Sequence, residues 1–192
     1  MNVPRQLKYE VWTGYHKFYC KGKVMAGPQP WKAILTLIAF LVAQCFSAGT
    51  TLVDLENWGL KICAFIIGVL CTALTLLFGI FTAFSDPGVI PSRGSLLDFE
   101  HDPFRRQNTL VRNNSSMMLL KHCATCKIVR PPRSVHCQKC NACVLMLDHH
   151  CPWLGTCVGM RNYLWFKIFL NFLLFSLIWS LGLHIYQLVH HC

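Results

Sequence analysis

Three stretches of the chain, Ala33 to Val53, Ile62 to Phe84 and Leu164 to Val189, are continuously apolar. Each reaches the roughly 20 residues needed to cross ~30 Å of hydrocarbon. A chain built this way must fold in a bilayer, and the rest of it must be compatible with that solvent. The composition follows the same pattern: of 192 residues 54% are hydrophobic and 14% charged, and the hydrophobic ones are gathered into runs rather than scattered as in a soluble domain. None of the runs resembles a cleaved signal peptide, because the first 31 residues are polar and carry Arg5, Lys8, Lys17, Lys21 and Lys23.

The basic residues set the expected orientation. The short connection Asp54 to Gly59 has two acids and no Lys or Arg, whereas Ser85 to Tyr163 holds ten basic residues against five acidic ones. Positively charged flanks stay on the cytoplasmic side, so the N-terminus and the long segment are expected there. The net charge of +10 is then a signal of topology and of attraction to anionic headgroups. Nucleic acid is excluded as a partner, since no basic stripe or stacking motif stands apart from the membrane flanks. Two overlapping glycosylation patterns, Asn113-Asn-Ser and Asn114-Ser-Ser, would stay unmodified on that side.

The expected organisation is a cytosolic N-terminal segment at 1–31, a transmembrane hairpin at 32–84, a cytosolic linker at 85–120, a cysteine-rich domain at 121–163 and a third span with the C-terminus at 164–192. In the linker, Pro87 and Gly88 of Asp86-Pro-Gly-Val-Ile-Pro91 stop a helix and turn the chain. Ser92 to Ser116 is polar and reads as a tether.

The informative chemistry lies in 35 residues. Seven of twelve cysteines and three histidines fall between Cys123 and Cys157. Clustered cysteines in a reducing compartment bind metal more often than they form disulfides. The Cys-x2-Cys spacing occurs at Cys123/Cys126, Cys137/Cys140 and Cys140/Cys143, and lets a tight turn aim two sulfurs at one zinc ion. Two closed four-coordinate sites need eight ligands. The stretch offers ten: the seven cysteines with His136, His149 and His150. One histidine of the adjacent pair and one cysteine are therefore surplus, and positions 149 to 151 are the natural place for them. Spacing leaves the grouping open, including a linear one with Cys123, Cys126, His136 and Cys137 on one ion.

The segment Cys123 to Tyr163 closely resembles the cysteine-rich domain of the DHHC family of protein S-acyltransferases, or palmitoyltransferases. The resemblance is carried by Arg130-Pro-Pro-Arg133, His136-Cys137, Asp148-His-His-Cys-Pro-Trp153 and Cys157-Val-Gly-Met-Arg-Asn-Tyr163. Asp86-Pro-Gly88 is similar to the family's motif after the second span, and Tyr9-Glu-Val-Trp-Thr-Gly14 with the residues to Pro28 is similar to the start of one subgroup. The resemblance implies an α-helical multi-span membrane protein with a small cytosolic double-zinc domain. It places one structural zinc on Cys123, Cys126, His136 and Cys143 and the other on Cys137, Cys140, His150 and Cys157. That interleaving suits adjacent His136 and Cys137, which point in different directions.

The implied activity is transfer of a long-chain acyl group from acyl-CoA to cysteines of membrane proteins through a thioester on Cys151, with His149 as its base and Asp148 orienting the imidazole. Lys121, Lys127, Arg130, Arg133 and Lys139 are candidates to meet the phosphates of coenzyme A. Trp153, with Phe166, Phe169 and Phe172, is a candidate to line the acyl slot. The expected partners are the bilayer, substrate proteins with membrane-proximal cysteines and an accessory subunit, on an endomembrane such as Golgi, ER or plasma membrane.

Two departures from the family are visible. Leu154-Gly155-Thr156 stands where many members have Asn, and is expected to tune a turn. The sequence ends at Cys192, directly after the third span, where the family usually continues with a fourth span and a Thr-Thr-x-Glu motif, so a truncated member is expected. The alternatives are an inactive truncated member and a membrane-anchored zinc module that recruits partners.

Overall fold

The computed structural model describes residues 12–54, 58–92, 109–113 and 116–191. Residues 9–11 and 93–108, and Asn114 with Ser115 of the glycosylation patterns, lie outside them. Three long helices carry the membrane-spanning runs: α1 (Pro30–Asp54), α2 (Trp58–Ala83) and α3 (Tyr163–His191). Within these, Pro30–Leu52, Trp58–Ala83 and Tyr163–Val189 are long and apolar enough to cross a membrane, and the chain is an integral membrane protein. Each helix starts one to four residues before the apolar run does. Pro30 occupies a first turn whose N–H needs no helical partner, and Trp31, Trp58 and Tyr163 extend the helices with rings suited to the membrane–water interface.

Helix packing follows the rules of a lipid solvent, where small side chains and internal hydrogen bonds replace the hydrophobic drive. α2 packs most extensively against α3 and next against α1. Its buried face is Ala64, Cys71, Thr72, Thr75, Gly79, Thr82 and Ala83. A Cβ on Gly79 would come within 2.8 Å of Leu37 and 3.2 Å of Phe169, so this glycine lets α1 and α3 close over α2 at one level. Buried hydroxyls are satisfied within their own helices: Thr75 donates to the Cys71 carbonyl at 2.8 Å, Thr82 to Phe78 at 2.7 Å and Ser176 to Phe172 at 2.7 Å. Phe78 of α2 stacks on Trp165 and Phe172 of α3 with centroids 5.9 and 6.1 Å apart.

Among the described residues outside the helices, the regular elements are short strands joined by turns. In chain order these are β1 (Lys17–Tyr19), β2 (Val24–Ala26), β3 (Val89–Ile90), β4 (Thr109–Asn113), β5 (Ser116–Leu120), β6 (His122–Cys123), β7 (Ile128–Val129), β8 (Ser134–Cys137), β9 (Ala142–Leu145), β10 (His149–Cys151) and β11 (Thr156–Val158). They form four antiparallel pairs, β1–β2, β4–β5, β6–β7 and β10–β11, and one three-stranded sheet in the order β3-β9-β8. Part of the stretch expected as a tether is therefore paired: Thr109 to Asn113 runs against Ser116 to Leu120 in full register.

The junction with α2 is more than a helix stop. The Asp86 carboxylate accepts from the Gly88 and Val89 amides, both at 2.8 Å, and its other oxygen receives the Arg161 guanidinium just before α3. Gly88, at φ 103°, turns the chain into β3, which pairs with β9. The N-terminal segment closes the other side. Met25 packs into a cluster with Val89, Cys137, Cys140, Ala142, Val144 and Cys157, and the Tyr15 amide donates to the Cys140 carbonyl at 2.9 Å.

Backbone meets backbone where this segment enters α1. A Cβ on Gly27 would lie 2.0 Å from the Gly155 carbonyl oxygen, and one on Gly155 would lie 2.1 Å from that of Gln29. Gly155 also sits at φ 61°. Gly155→Ala therefore combines a left-handed backbone penalty with a backbone collision, and should cost about 2 kcal/mol or more. A lowered thermal midpoint in detergent, relative to a surface control such as Lys139→Ala, checks this.

Candidate functional site

The strand register sorts the ten potential ligands. His136 of β8 stands opposite Cys143 of β9, while its neighbour Cys137, pointing the other way, stands opposite Ala142. His150 of β10 stands opposite Cys157 of β11. The result is two quartets, Cys123/Cys126/His136/Cys143 and Cys137/Cys140/His150/Cys157, with the donor atoms of each within 4.8 Å of one another. The grouping in space is the interleaved one.

The quartets fit zinc. Tetrahedral bonds of ~2.3 Å to sulfur and ~2.0 Å to nitrogen require S···N edges of about 3.6 Å. Nδ1 of His136 lies 3.5, 3.4 and 3.8 Å from the sulfurs of Cys123, Cys126 and Cys143. Nδ1 of His150 lies 3.7, 3.3 and 3.6 Å from those of Cys137, Cys140 and Cys157. Both donor sets, three sulfurs and one imidazole, are those of a closed structural zinc site.

Their electrostatics point the same way, because crowded thiols cannot all ionise unless a cation sits among them. Hydrogen bonding from Cys143 holds the Cys126 thiol down at about 5, while the same contact pushes Cys143 far up. In the second quartet the hydrogen bond from Cys140 lowers Cys137, and that contact raises Cys140 to about 12; Cys157, next to Cys137, is pushed up further still. A dication among the sulfurs removes that conflict, and metal binding becomes part of the folding energy of strands too short to stand alone.

Strand alternation then separates the two surplus groups from the quartets. On β10, His149 and Cys151 share the face opposite to His150. His149 Nδ1 is 2.8 Å from Asp148 Oδ2, and its ring meets Phe166 of α3 edge-on at 5.2 Å. Cys151, 6% exposed, packs in a cluster with Ala33 and Leu37 of α1, Ala83 of α2, Leu154, Val158, and Phe169 of α3. An imidazole and a thiol thus share one face of β10, with a carboxylate just before the strand, where the module meets the ends of all three helices.

The remaining sequence candidates are dispersed. Lys121, Lys127, Arg133 and Lys139 are exposed on the turns around the quartets, with Lys127 and Arg133 at φ 51° and 60°. Arg130 is half-buried, and its Nε is enclosed without a hydrogen-bond partner among the described residues. The Trp153 side chain is 71% exposed, whereas its carbonyl accepts from Thr36 Oγ1 of α1 at 2.9 Å. Trp153 is therefore tied to α1 through its backbone while its ring faces outward. Phe166 and Phe169 stand beside His149 and Cys151, and Phe172 stacks on Phe78 further down.

Asn162 was quoted in the sequence motif without a role. It is fully buried, donates from Nδ2 to the Cys157 carbonyl at 2.9 Å and to the Thr82 carbonyl at 3.2 Å, and accepts from the Gly159 amide at 2.9 Å. One amide thus fixes β11, the end of α2 and the start of α3. The sequence signal for it is an Asn at the N-cap position before a long apolar helix.

The comparisons with known proteins agree with this geometry. Residues 116–192 match the sequence profile described as DHHC palmitoyltransferase, so this part of the chain is similar to a domain of that family. Palmitoyltransferase ZDHHC14 of Homo sapiens is 35% identical over 187 residues, which is 88% of this chain and 37% of the relative. The Mus musculus protein of the same name is 32% identical over 214 residues, 98% of this chain and 41% of its own length. Probable protein S-acyltransferase 1 of Arabidopsis thaliana is 32% identical over 193 residues, 88% of this chain and 56% of its own. The chain thus spans about half the length of the relatives it matches.

Two outcomes are expected. Purified protein should carry two zinc ions per chain by elemental analysis, falling to about one in Cys143→Ser or Cys157→Ser and staying at two in Cys151→Ser. Asn162→Ala should strand two carbonyls and an amide inside the protein, at about 1–3 kcal/mol for each group left unpaired, read as a lower denaturation midpoint.

Proposed function

We propose that the protein is a protein S-palmitoyltransferase that moves a long-chain acyl group from acyl-CoA to cysteines of other proteins through a thioester on Cys151. The observation that carries the reading is the division of β10: His150 belongs to a metal quartet, while His149 and Cys151 face away from it, with Asp148 hydrogen-bonded to His149. A pure zinc adaptor has no use for that arrangement.

The chemistry follows from the groups present. A hydrogen bond from His149 Nδ1 to Asp148 leaves Nε2 as the basic nitrogen. Nε2 takes the Cys151 proton, and the thiolate adds to the carbonyl carbon of the acyl-CoA thioester. The tetrahedral adduct collapses by breaking the carbon–sulfur bond to coenzyme A, whose sulfur leaves with the proton held on His149. A substrate thiol then gives its proton to Nε2 and attacks the Cys151 thioester, and Cys151 departs as thiolate and is reprotonated. Each step exchanges one thioester for another, so the task of the protein is activation and placement rather than driving force.

Each quartet with zinc is formally −1, which opposes a second anion close by, so the metals hold the hairpin in place and the activation of Cys151 falls to His149. The apolar surroundings of Cys151, with Ala33, Leu37 and Phe169, suit a chain whose burial contributes ~0.8 kcal/mol per CH₂. Trp153, Phe166, Phe169 and Phe172 are the proposed aromatic wall of that slot. Lys121, Lys127, Arg130, Arg133 and Lys139 are the proposed contacts for the phosphates of coenzyme A. Basic flanks support a cytosolic site; an endomembrane location, substrates with cysteines near the bilayer and an accessory subunit belong to the same proposal.

The test is a purified chain in nanodiscs given a long-chain acyl-CoA bearing an alkyne. A hydroxylamine-sensitive label should form, vanish in Cys151→Ser and form at least about 100-fold more slowly in His149→Ala. A two-zinc preparation that takes no label, or equal labelling of Cys151→Ser, would overturn the proposal.

A further inference from the structure

A nucleophile and a base do not complete an acyl transfer, because negative charge develops on the carbonyl oxygen and needs a donor of its own. Such a donor stands across the hairpin from the thiol. Thr156 of β11 is the register partner of Cys151 on β10. Directly opposed residues of an antiparallel pair project to the same face, with Cβ atoms ~4.5–5.5 Å apart. Thr156 therefore shares the face of His149 and Cys151, while His150 and Cys157 of the second quartet are paired on the other.

The Thr156 side chain is enclosed by the described residues themselves. It is 1% exposed, and its Oγ1 has no hydrogen-bond partner among them. Threonines buried in the helices behave differently: Thr51, Thr75 and Thr82 donate to the carbonyls of Ser47, Cys71 and Phe78 at 2.8, 2.8 and 2.7 Å. An enclosed hydroxyl that donates to nothing is uncommon in a folded protein, and a catalytic role is one of its few explanations. A bound water fits less well. It would need two or more polar partners, whereas Cys151 and Val158, which flank Thr156 on this face, sit in an apolar cluster with Ala33, Leu37, Leu154 and Phe169.

The hydroxyl is also held in place. A Cβ on Gly27 would come within 2.6 Å of Thr156 Cα, so the N-terminal backbone lies against β11 at this residue, and the next carbonyl, that of Cys157, accepts from Asn162 at 2.9 Å. A donor fixed before charge develops needs no reorganisation when it does. Because Oγ1 makes no bond to the Cys151 sulfur, it is left for an atom carried on that sulfur.

We propose that Thr156 Oγ1 is the donor to the carbonyl oxygen of the acyl group, an assignment that rests on Cys151 as the acyl carrier. As Cys151 Sγ bonds to the carbonyl carbon, the π electron pair moves to oxygen, which accepts the Thr156 O–H without taking its proton. When the bond to the coenzyme A sulfur breaks, that pair re-forms the carbonyl, and the sulfur leaves with the proton held on His149. The same hydroxyl serves the second transfer.

The experiment uses the full chain in nanodiscs, checked for two zinc ions per chain, with a long-chain acyl-CoA bearing an alkyne. Thr156→Val keeps the shape and removes the donor. The maximal rate of label formation should fall about 100-fold with the half-saturating acyl-CoA concentration little changed, whereas Thr156→Ser should keep most of the wild-type rate. The denaturation midpoint of Thr156→Val should not fall, because the hydroxyl it removes is unpaired in the resting protein. In the wild type, the infrared carbonyl stretch of the isotope-labelled Cys151 thioester should lie below that of the same thioester in hydrocarbon solvent, and in Thr156→Val it should return toward it. A labelled wild type matched by Thr156→Val, a loss shared equally by Thr156→Val and Thr156→Ser, or a wild-type stretch at the hydrocarbon value would overturn the assignment of Thr156 and leave Cys151 as the acyl carrier. A wild type that takes no label would overturn both.

Discussion

Successive side chains of a strand point to opposite faces, and the rest of the site depends on where that alternation falls at residues 149 to 151. With β10 paired to β11, His150 and Cys157 share one face and His149 and Cys151 the other. A shift of one residue would exchange the faces, placing His149 and Cys151 toward the metal and leaving His150 as the free imidazole. A three-residue strand cannot secure its own register. What secures it is the second quartet, whose four donor atoms, one nitrogen and three sulfurs, stand at tetrahedral spacing, and Asn162, which holds the Cys157 carbonyl. Metal geometry and a buried amide therefore act together on the position of a thiol that belongs to neither.

The quartets also explain how so little chain makes a module. Two- to five-residue strands bury few apolar side chains, and such small units need metals or disulfides to persist. Here several of the buried residues are themselves ligands. Cys137, Cys140 and Cys157 are members of one apolar cluster with Met25 and Val144, and Cys123, Cys126 and Cys143 of another with Ile128. Because the first cluster includes Met25 of β2, the N-terminal segment is part of the second quartet's enclosure rather than an appendage to α1.

Much of this was legible in the sequence, and the limits were physical. The spans were legible because twenty apolar residues have one reading, although their first turns were not, since Trp and Tyr at an interface continue a helix without adding hydropathy. Ten donors for eight places told that two were surplus. How the other eight group could not follow from spacing, because Cys140 satisfies Cys-x2-Cys with both Cys137 and Cys143; strand pairing separates those choices. The pairing of Thr109–Asn113 with Ser116–Leu120 was not legible, because the polar run before it drew the whole stretch into one tether. Gly155 was read correctly as a turn residue, but its contact with Gln29 spans more than a hundred residues and leaves no local trace.

The end of α2 shows how a membrane helix can hand its geometry to a domain outside the bilayer. A helix end leaves carbonyls without partners, and next to hydrocarbon those carbonyls cannot rely on water. The chain meets part of that need with side chains and amides that belong to the next module: Asn162 Nδ2 reaches the Thr82 carbonyl, and the Arg161 amide reaches that of Pro87 at 3.4 Å. Asp86 then anchors the Arg161 side chain while capping the turn into β3. The bonds that finish α2 are thus the bonds that hold α3 and β11 beside it, so the place of Cys151 relative to the end of α2 is set in part by backbone atoms of that helix. For the proposed acyl transfer, that fixed place beside the helix ends would matter to the thiol more than a deep pocket of its own.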